Sequence, residues 1–145
     1  MKLECRRAQS AKELADAMDI RANVFIGEQK VPADLERDGL DDECLHFITV
    51  LDGEMIGTAR VMLLNDKFKF QRVAVLPKAR GAGVGGKLMQ FMMEELASRP
   101  DAKNKRFFLS SQVRAVPFYE RLGFEICSDE YLDAGIQHRD MQRMV

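Results

Sequence analysis

Arg72-Val-Ala-Val-Leu-Pro-Lys-Ala-Arg-Gly-Ala-Gly-Val-Gly-Gly-Lys-Leu-Met89 decides how this chain is read. The β-branched run through Val73, Ala74 and Val75 predicts a strand that stops at Pro77. Arg80, Gly81, Ala82, Gly83, Val84, Gly85 and Gly86 follow as a glycine turn. From Lys87 to Ala97 the apolar residues recur at helical spacing. Strand, glycine turn and helix in that order build an anion cradle. Glycine lets the main chain bend tightly and approach a ligand with no Cβ in the way. The unpaired N–H groups of the helix's first turn then point at the anion, and the helix dipole favours negative charge there. Arg80 adds a positive charge at the rim, so a phosphate or pyrophosphate is the expected guest.

Two familiar phosphate motifs fit poorly. A dinucleotide fingerprint requires Gly-x-Gly-x-x-Gly after the first strand of a unit, and here the spacing is Gly-x-Gly-x-Gly-Gly after a later strand. Gly81 to Gly86 and Lys87 match the spacing of a nucleotide P-loop, but Leu88 stands where a magnesium-binding hydroxyl is needed.

Working outward, Lys2 to Arg7 predicts a first strand. Ser10 reads as an N-cap with Glu13 completing a capping box, and Leu14, Met18, Ala22 and Phe25 mark a helix ending near Gln29, ahead of Pro32. Pro32 to Glu43 reads as an acidic irregular segment with one helical turn. His46 to Leu51 and Met55 to Leu64 predict strands joined at Asp52-Gly53, and Lys67 to Leu76 a fourth strand. In the helix after the glycine turn, Val84, Leu88, Phe91, Met92 and Leu96 form one face. Arg106 to Ser110, Gly123 to Cys127 and Gln137 to Met144 predict the remaining strands, with Pro117 to Leu122 a short helix. Strands four and five, joined through a helix, are expected to be parallel with a right-handed crossover. The other neighbours are antiparallel, giving a mixed α/β sheet with helices on both faces.

The 145 residues predict a single domain, 1–145. With 22 Lys and Arg against 23 Asp and Glu, the net charge of −1 offers no general attraction to nucleic acid or an anionic membrane. No apolar run approaches the ~20 residues of a membrane span. Cys5, Cys44 and Cys127 form no paired motif and read as reduced cysteines of a cytoplasmic protein. Cys44-x-His46 lacks a second pair in ligand spacing, so no metal is expected.

Arg80, Gly83 and Gly85 match the Arg/Gln-x-x-Gly-x-Gly/Ala pattern and resemble the pyrophosphate loop of the GNAT acetyltransferases. Ala115-Val-Pro-Phe-Tyr-Glu-Arg-Leu-Gly-Phe124 resembles that family's late helix–strand element. The likeness covers essentially the whole chain. Arg21 to Gln29, Asp38, His46 and Ala134 to His138 narrow it to the ElaA-like and YjcF-like branch.

The resemblance implies an N-acetyltransferase that moves an acetyl group from acetyl-coenzyme A (acetyl-CoA) to a primary amine, directly and without a metal. It implies a bulged fourth strand that splays from the fifth and offers main chain at Arg72, Val73, Ala74 and Val75 to the pantetheine arm. The Val73 N–H would polarise the thioester carbonyl, and Tyr119 would give a proton to the leaving thiolate. Phe118, beside it, and Gln112, where many relatives carry asparagine, belong to the expected coenzyme site. Gln71 departs from the glutamate common in the family. That leaves the base open among Glu28, Asp38, His46, His138 and a water chain. Arg21, Phe25, Glu28, Gln29, His46, Gln71, Arg72, Tyr131 and His138 are the candidate acceptor-site residues. The crowded carboxylates from Asp34 to Glu43 read either as an attractor for a cationic amine or as a solvated surface loop. Arg21, Arg72 and Arg114 read equally as contacts for an anionic group. A small-molecule amine is expected ahead of a protein acceptor, and a homodimer is compatible with the family. The rival readings are a non-catalytic acyl-CoA sensor and a nucleotide-binding regulator.

Overall fold

The computed structural model describes residues 2–145. In chain order the elements are β1 (Leu3–Arg7), α1 (Ala11–Arg21), α2 (Ala33–Glu36), β2 (Cys44–Leu51), β3 (Glu54–Leu63), β4 (Lys67–Val75), α3 (Val84–Ala97), β5 (Arg106–Gln112), α4 (Val116–Arg121), β6 (Glu125–Ile126), β7 (Tyr131–Asp133) and β8 (Ile136–Met144). None of the described helices is long and apolar enough to cross a membrane.

Local chemistry explains most boundaries. The Ser10 hydroxyl accepts the Glu13 N–H at 3.1 Å, while the Glu13 carboxylate accepts the Gln9 N–H, one residue earlier than a capping box places it. α1 then widens into a π-helical stretch, Ala22–Glu28, closed by the Gln29 N–H on the Val24 carbonyl at 3.0 Å. Such widenings often sit at functional sites because they re-aim side chains. The buried face of α3 is broader than the stripe expected from sequence. Met89 and Met93 join Val84, Leu88, Met92 and Leu96, while Phe91 is half-buried and meets Phe47 edge-on at 6.1 Å.

The sheet runs β1-β2-β3-β4-β5-β8, with β6 and β7 sharing the outer edge of β8. All pairs are antiparallel except β4 with β5. This is the mixed sheet expected from sequence, with α1 on one face and α3 on the other. β7 and its hairpin to β8 were not foreseen. Between β6 and β7 the edge of β8 is closed locally: the Cys127 N–H reaches the Asp140 carbonyl at 2.8 Å, and the Asp140 N–H reaches the Ser128 hydroxyl at 2.8 Å.

The main core lies under α3 and α4, where Phe47, Val61, Phe68, Phe70, Phe107 and Met141 pack with the α3 side chains. A smaller cluster under α1 joins Ile20 and Val24 to Ala74. Phe70 and Ala74 would share a face in a regular strand, since side chains alternate with period two. They sit in different clusters because β4 carries one residue too many between them.

Candidate active site

The extra residue is visible in the register. Ala74 faces Thr58 and Gln71 faces Arg60, so Arg72 and Val73 together oppose Ala59. Arg72 adopts φ +55°, a conformation that in a non-glycine residue costs on the order of 1–3 kcal/mol and persists only when its surroundings hold it. Its guanidinium is held by the Glu36 carboxylate at 2.9 Å and by the carbonyls of Leu35 and Glu36. The bulge inverts the alternation of β4 and bends the strand.

Beyond the bulge β4 leaves β5. Pairing runs only from Lys67 with Arg106 to Phe70 with Leu109. From there the two strands line opposite sides of a cavity of about 460 Å³, β4 with Gln71, Arg72, Val73, Ala74 and Val75, β5 with Ser110, Ser111 and Gln112. The expected gap in the sheet is open. The other walls bring in Phe25, Glu28 and Gln29 from the π-helical stretch and its end, Leu35 and Glu36 from α2, Tyr119 from α4, and Asp133, Ala134 and His138 from the β7–β8 hairpin. The Gln112 amide donates to the Gln29 side chain at 2.7 Å and ties β5 to the α1 side of the cavity.

Tyr119 is almost fully buried, and burial alone holds its phenol well above the ordinary tyrosine value. Phe118 and Phe124 meet its ring edge-on at 4.9 and 6.0 Å. Phe118 lies outside the cavity lining. Its ring instead fills the space above Gly85, where an added Cβ would approach Phe118 Cζ to 3.3 Å. His138 sits opposite Gln112 on β8, with Nδ1 2.7 Å from the Ile136 carbonyl. A carbonyl only accepts, so in the neutral ring Nδ1 carries the proton and Nε2 keeps its lone pair. Among the described residues Nε2 has no hydrogen-bond partner, and the ring stacks on Tyr131 with centroids 6.0 Å apart.

The glycine turn follows directly. Gly83 caps α3 at φ +76°, with no protein atom within 4 Å of where its Cβ would be. The helical ladder begins with the Lys87 N–H on the Gly83 carbonyl, so the first-turn N–H groups of Val84, Gly85 and Gly86 have no intrahelical partner. Arg80 lines the cavity, whereas Gly81, Ala82 and the turn beyond them lie outside that lining. The Arg80 guanidinium holds Glu28 and keeps that carboxyl below its usual range.

Several acceptor-site expectations do not survive. Arg21 is buried and outside the lining, spent on Glu36 at 2.9 Å and Asp41 at 2.6 Å. His46 is buried on β2 with Nε2 2.8 Å from the Asp41 carbonyl, again away from the cavity. Tyr131 donates to the Asp140 carboxylate rather than into the cavity. Burial and that contact push its phenol up to about 12. The acidic segment is neither a solvated loop nor an attractor for amines at its centre. Glu36, Asp38 and Asp41 bind Arg21, Arg60 and Arg72. The Arg60 contact holds Asp38 well below the carboxylate range. Burial works the other way on Asp41, but Arg21 and Arg60 outweigh it.

Arg60 escaped notice in the sequence, although it is fully buried and joins Asp38, Asp41 and the Gln71 side-chain oxygen at 3.1 Å. A lone cation inside an apolar strand demands buried acidic partners, and the nearby carboxylate-rich segment was that signal. Gln71 thus stands in the cavity wall with its oxygen already accepting from Arg60.

The model of the acetyltransferase (GNAT) domain matches residues 5–145. The uncharacterized N-acetyltransferase YjcF of Bacillus subtilis is 40% identical over 138 residues, covering 94% of this chain and 96% of that protein. ElaA of Escherichia coli is 30% identical over 141 residues, covering 94% and 90%. Its crystal structure superposes with a TM-score of 0.85 at 25% identity, covering 98% and 99%. An acyl-CoA N-acyltransferase from Pseudomonas aeruginosa superposes with a TM-score of 0.83 at 28% identity, covering 98% of each chain. The opened sheet, the glycine turn and these likenesses agree: the chain belongs to the GNAT acetyltransferase family.

Proposed function

We propose that this acetyltransferase moves the acetyl group of acetyl-CoA to the primary amine of a small molecule, by direct attack within a ternary complex. The observation that carries the reading is the gap between β4 and β5, whose cavity is lined by both Arg80, at the start of the glycine turn, and Tyr119. Its fit to a diphosphate-bearing thioester rests on the unpaired first-turn N–H groups of α3 and on free space above Gly83. The concave site of about 460 Å³, open to solvent on part of its surface, suits a small acceptor.

Acetyl-CoA supplies an activated acyl carbon. The chain's residues do the rest. The Val73 N–H, in the stretch of β4 that has no β5 partner, donates to the thioester oxygen as charge builds there. His138 Nε2 accepts the proton lost by the attacking amine, either directly or through water. It lines the cavity, whereas Asp38 is held by Arg60 and His46 lies elsewhere, and a carboxylate such as Glu28 is intrinsically a weaker base than imidazole. A new C–N bond forms, the C–S bond breaks, and the sulfur leaves with the bond's electron pair. Tyr119 keeps its proton throughout neutral pH and donates a hydrogen bond to that sulfur. An ordinary thiol titrates near ~8.5, so full transfer from so weak an acid runs uphill and solvent completes the protonation. Cys44 and Cys127 have thiols pushed up by burial and lie outside the cavity, which favours direct attack over an acetyl-cysteine.

The test is thiol release from acetyl-CoA across a panel of diamines, amino acids, amino sugars and a lysine peptide. We expect turnover on a small amine, and a loss of kcat/KM in His138→Gln of about 100-fold with coenzyme affinity unchanged. Coenzyme binding without turnover on any amine would leave a sensor rather than this enzyme.

A further inference from the structure

Arg80 opens the glycine turn, and each of its three guanidinium nitrogens already donates to a protein oxygen. Nη1 and Nη2 hold the two Glu28 oxygens at 2.6 and 2.7 Å, and Nε holds the Val75 carbonyl at 3.0 Å. Arg80, Glu28 and Val75 all line the cavity. The pair is wet, with side chains 42% and 35% exposed, so water competes for it and it holds weakly. A diphosphate on the turn offers the same fork more charge and more acceptor oxygens. Glu36 stands in contrast. It is fully buried against Arg21 and Arg72 and cannot be released without stranding charge. Of the carboxylates around the cavity, Glu28 is the one whose partner a diphosphate would claim.

Resting on the acyl-CoA reading above, we propose that Glu28 is a placeholder that becomes an acceptor-binding residue. It occupies Arg80 while the donor site is empty. When a diphosphate takes the guanidinium, Glu28 is left as a free carboxylate in the cavity and binds the ammonium group of the incoming acceptor. The acceptor is therefore a cationic amine that enters after the donor. The same swing of Arg80 frees the Val75 carbonyl for an amide of the coenzyme arm.

The experiment combines calorimetry with coenzyme A, carbon-13 NMR titration of the Glu28 carboxyl, and kinetics on any amine that the wild type acetylates. Glu28→Gln should bind coenzyme A two- to fivefold more tightly, roughly what releasing an exposed pair is worth. In the wild type the Glu28 carboxyl, held low by Arg80 and to a lesser degree by Arg114, should titrate higher once coenzyme A is bound. Glu28→Gln should raise the acceptor KM about tenfold, with kcat changed much less. Equal or weaker coenzyme binding by a variant that melts like the wild type, an unmoved Glu28 titration, or an unchanged acceptor KM each overturns the exchange alone. A wild type that binds no coenzyme A overturns the acyl-CoA reading, and the exchange with it.

Discussion

From Lys67 to Phe70, β4 pairs with β5 residue for residue, and Phe68 and Phe70 are buried against Phe107. From Gln71 to Val75 the same strand has no β5 partner and lines a cavity. One extra residue, in the bulge at Arg72 and Val73, lies at the start of the open half. The first half converts sequence into stability by packing. The second forgoes ladder bonds to keep main-chain groups available. The difference shows how a fold carries a site without weakening its core: the change is confined to a single inserted position, and ion pairs that reach from β3 and β4 to the segment after α1 hold it.

The contrast predicts that damage to the two halves separates cleanly. The largest effect falls on the paired half. Phe68→Ala, at a core position outside the cavity lining, should lower unfolding free energy by about 3–5 kcal/mol in chemical denaturation, while the folded fraction still binds coenzyme. On the open side, Tyr119→Phe should leave the melting temperature nearly unchanged, because its hydroxyl has no partner among the described residues. Its kcat should fall about 100-fold, equivalent to ~2.7 kcal/mol. Comparable losses of stability in both variants would erase the distinction. Gly83→Asp should come next, weakening coenzyme A binding by roughly tenfold as αL strain and a carboxylate are placed under the diphosphate. Calorimetry reads this directly.

The smallest effect concerns the clamp on Arg72. Asp38 is held well below its unfolded value by Arg60, so its contribution is complete above ~pH 4 and disappears as pH falls through the depressed folded value. Asp38 is partly exposed, so after solvent screening the effect should stay under ~1 kcal/mol. Acid titration of stability in the wild type and Asp38→Asn checks it: the variant should lose part of the slope below pH 4.

What could be read ahead of the structure was local. Ser10 announces a helix through its own hydroxyl, Asp52-Gly53 sets a hairpin, and Pro77 with the glycines that follow ends a strand and opens a helix. The parallel β4–β5 step follows from the helix between them. The arginine cluster was not legible because its partners are distant in sequence: Arg21 meets Glu36, Arg60 meets Asp38, and Arg72 reaches back to Glu36. A charged residue's side of the surface is settled only when the sheet closes. Arg21 and His46 were consequently placed in a site they do not reach, and Arg60 was passed over. β7 was missed because its turn sets Ala134 at φ +51° before Gly135 at φ +75°, and alanine is not a residue that signals such a turn.

The ladder closure beside Cys127 and Ser128 has its own effect. β8 is among the longest strands of the sheet and would otherwise present a straight outer margin of unpaired amides. Two short strands and one serine hydroxyl divide that margin into pieces too small to template a foreign strand. On that flank the protein is protected from edge-to-edge aggregation at high concentration.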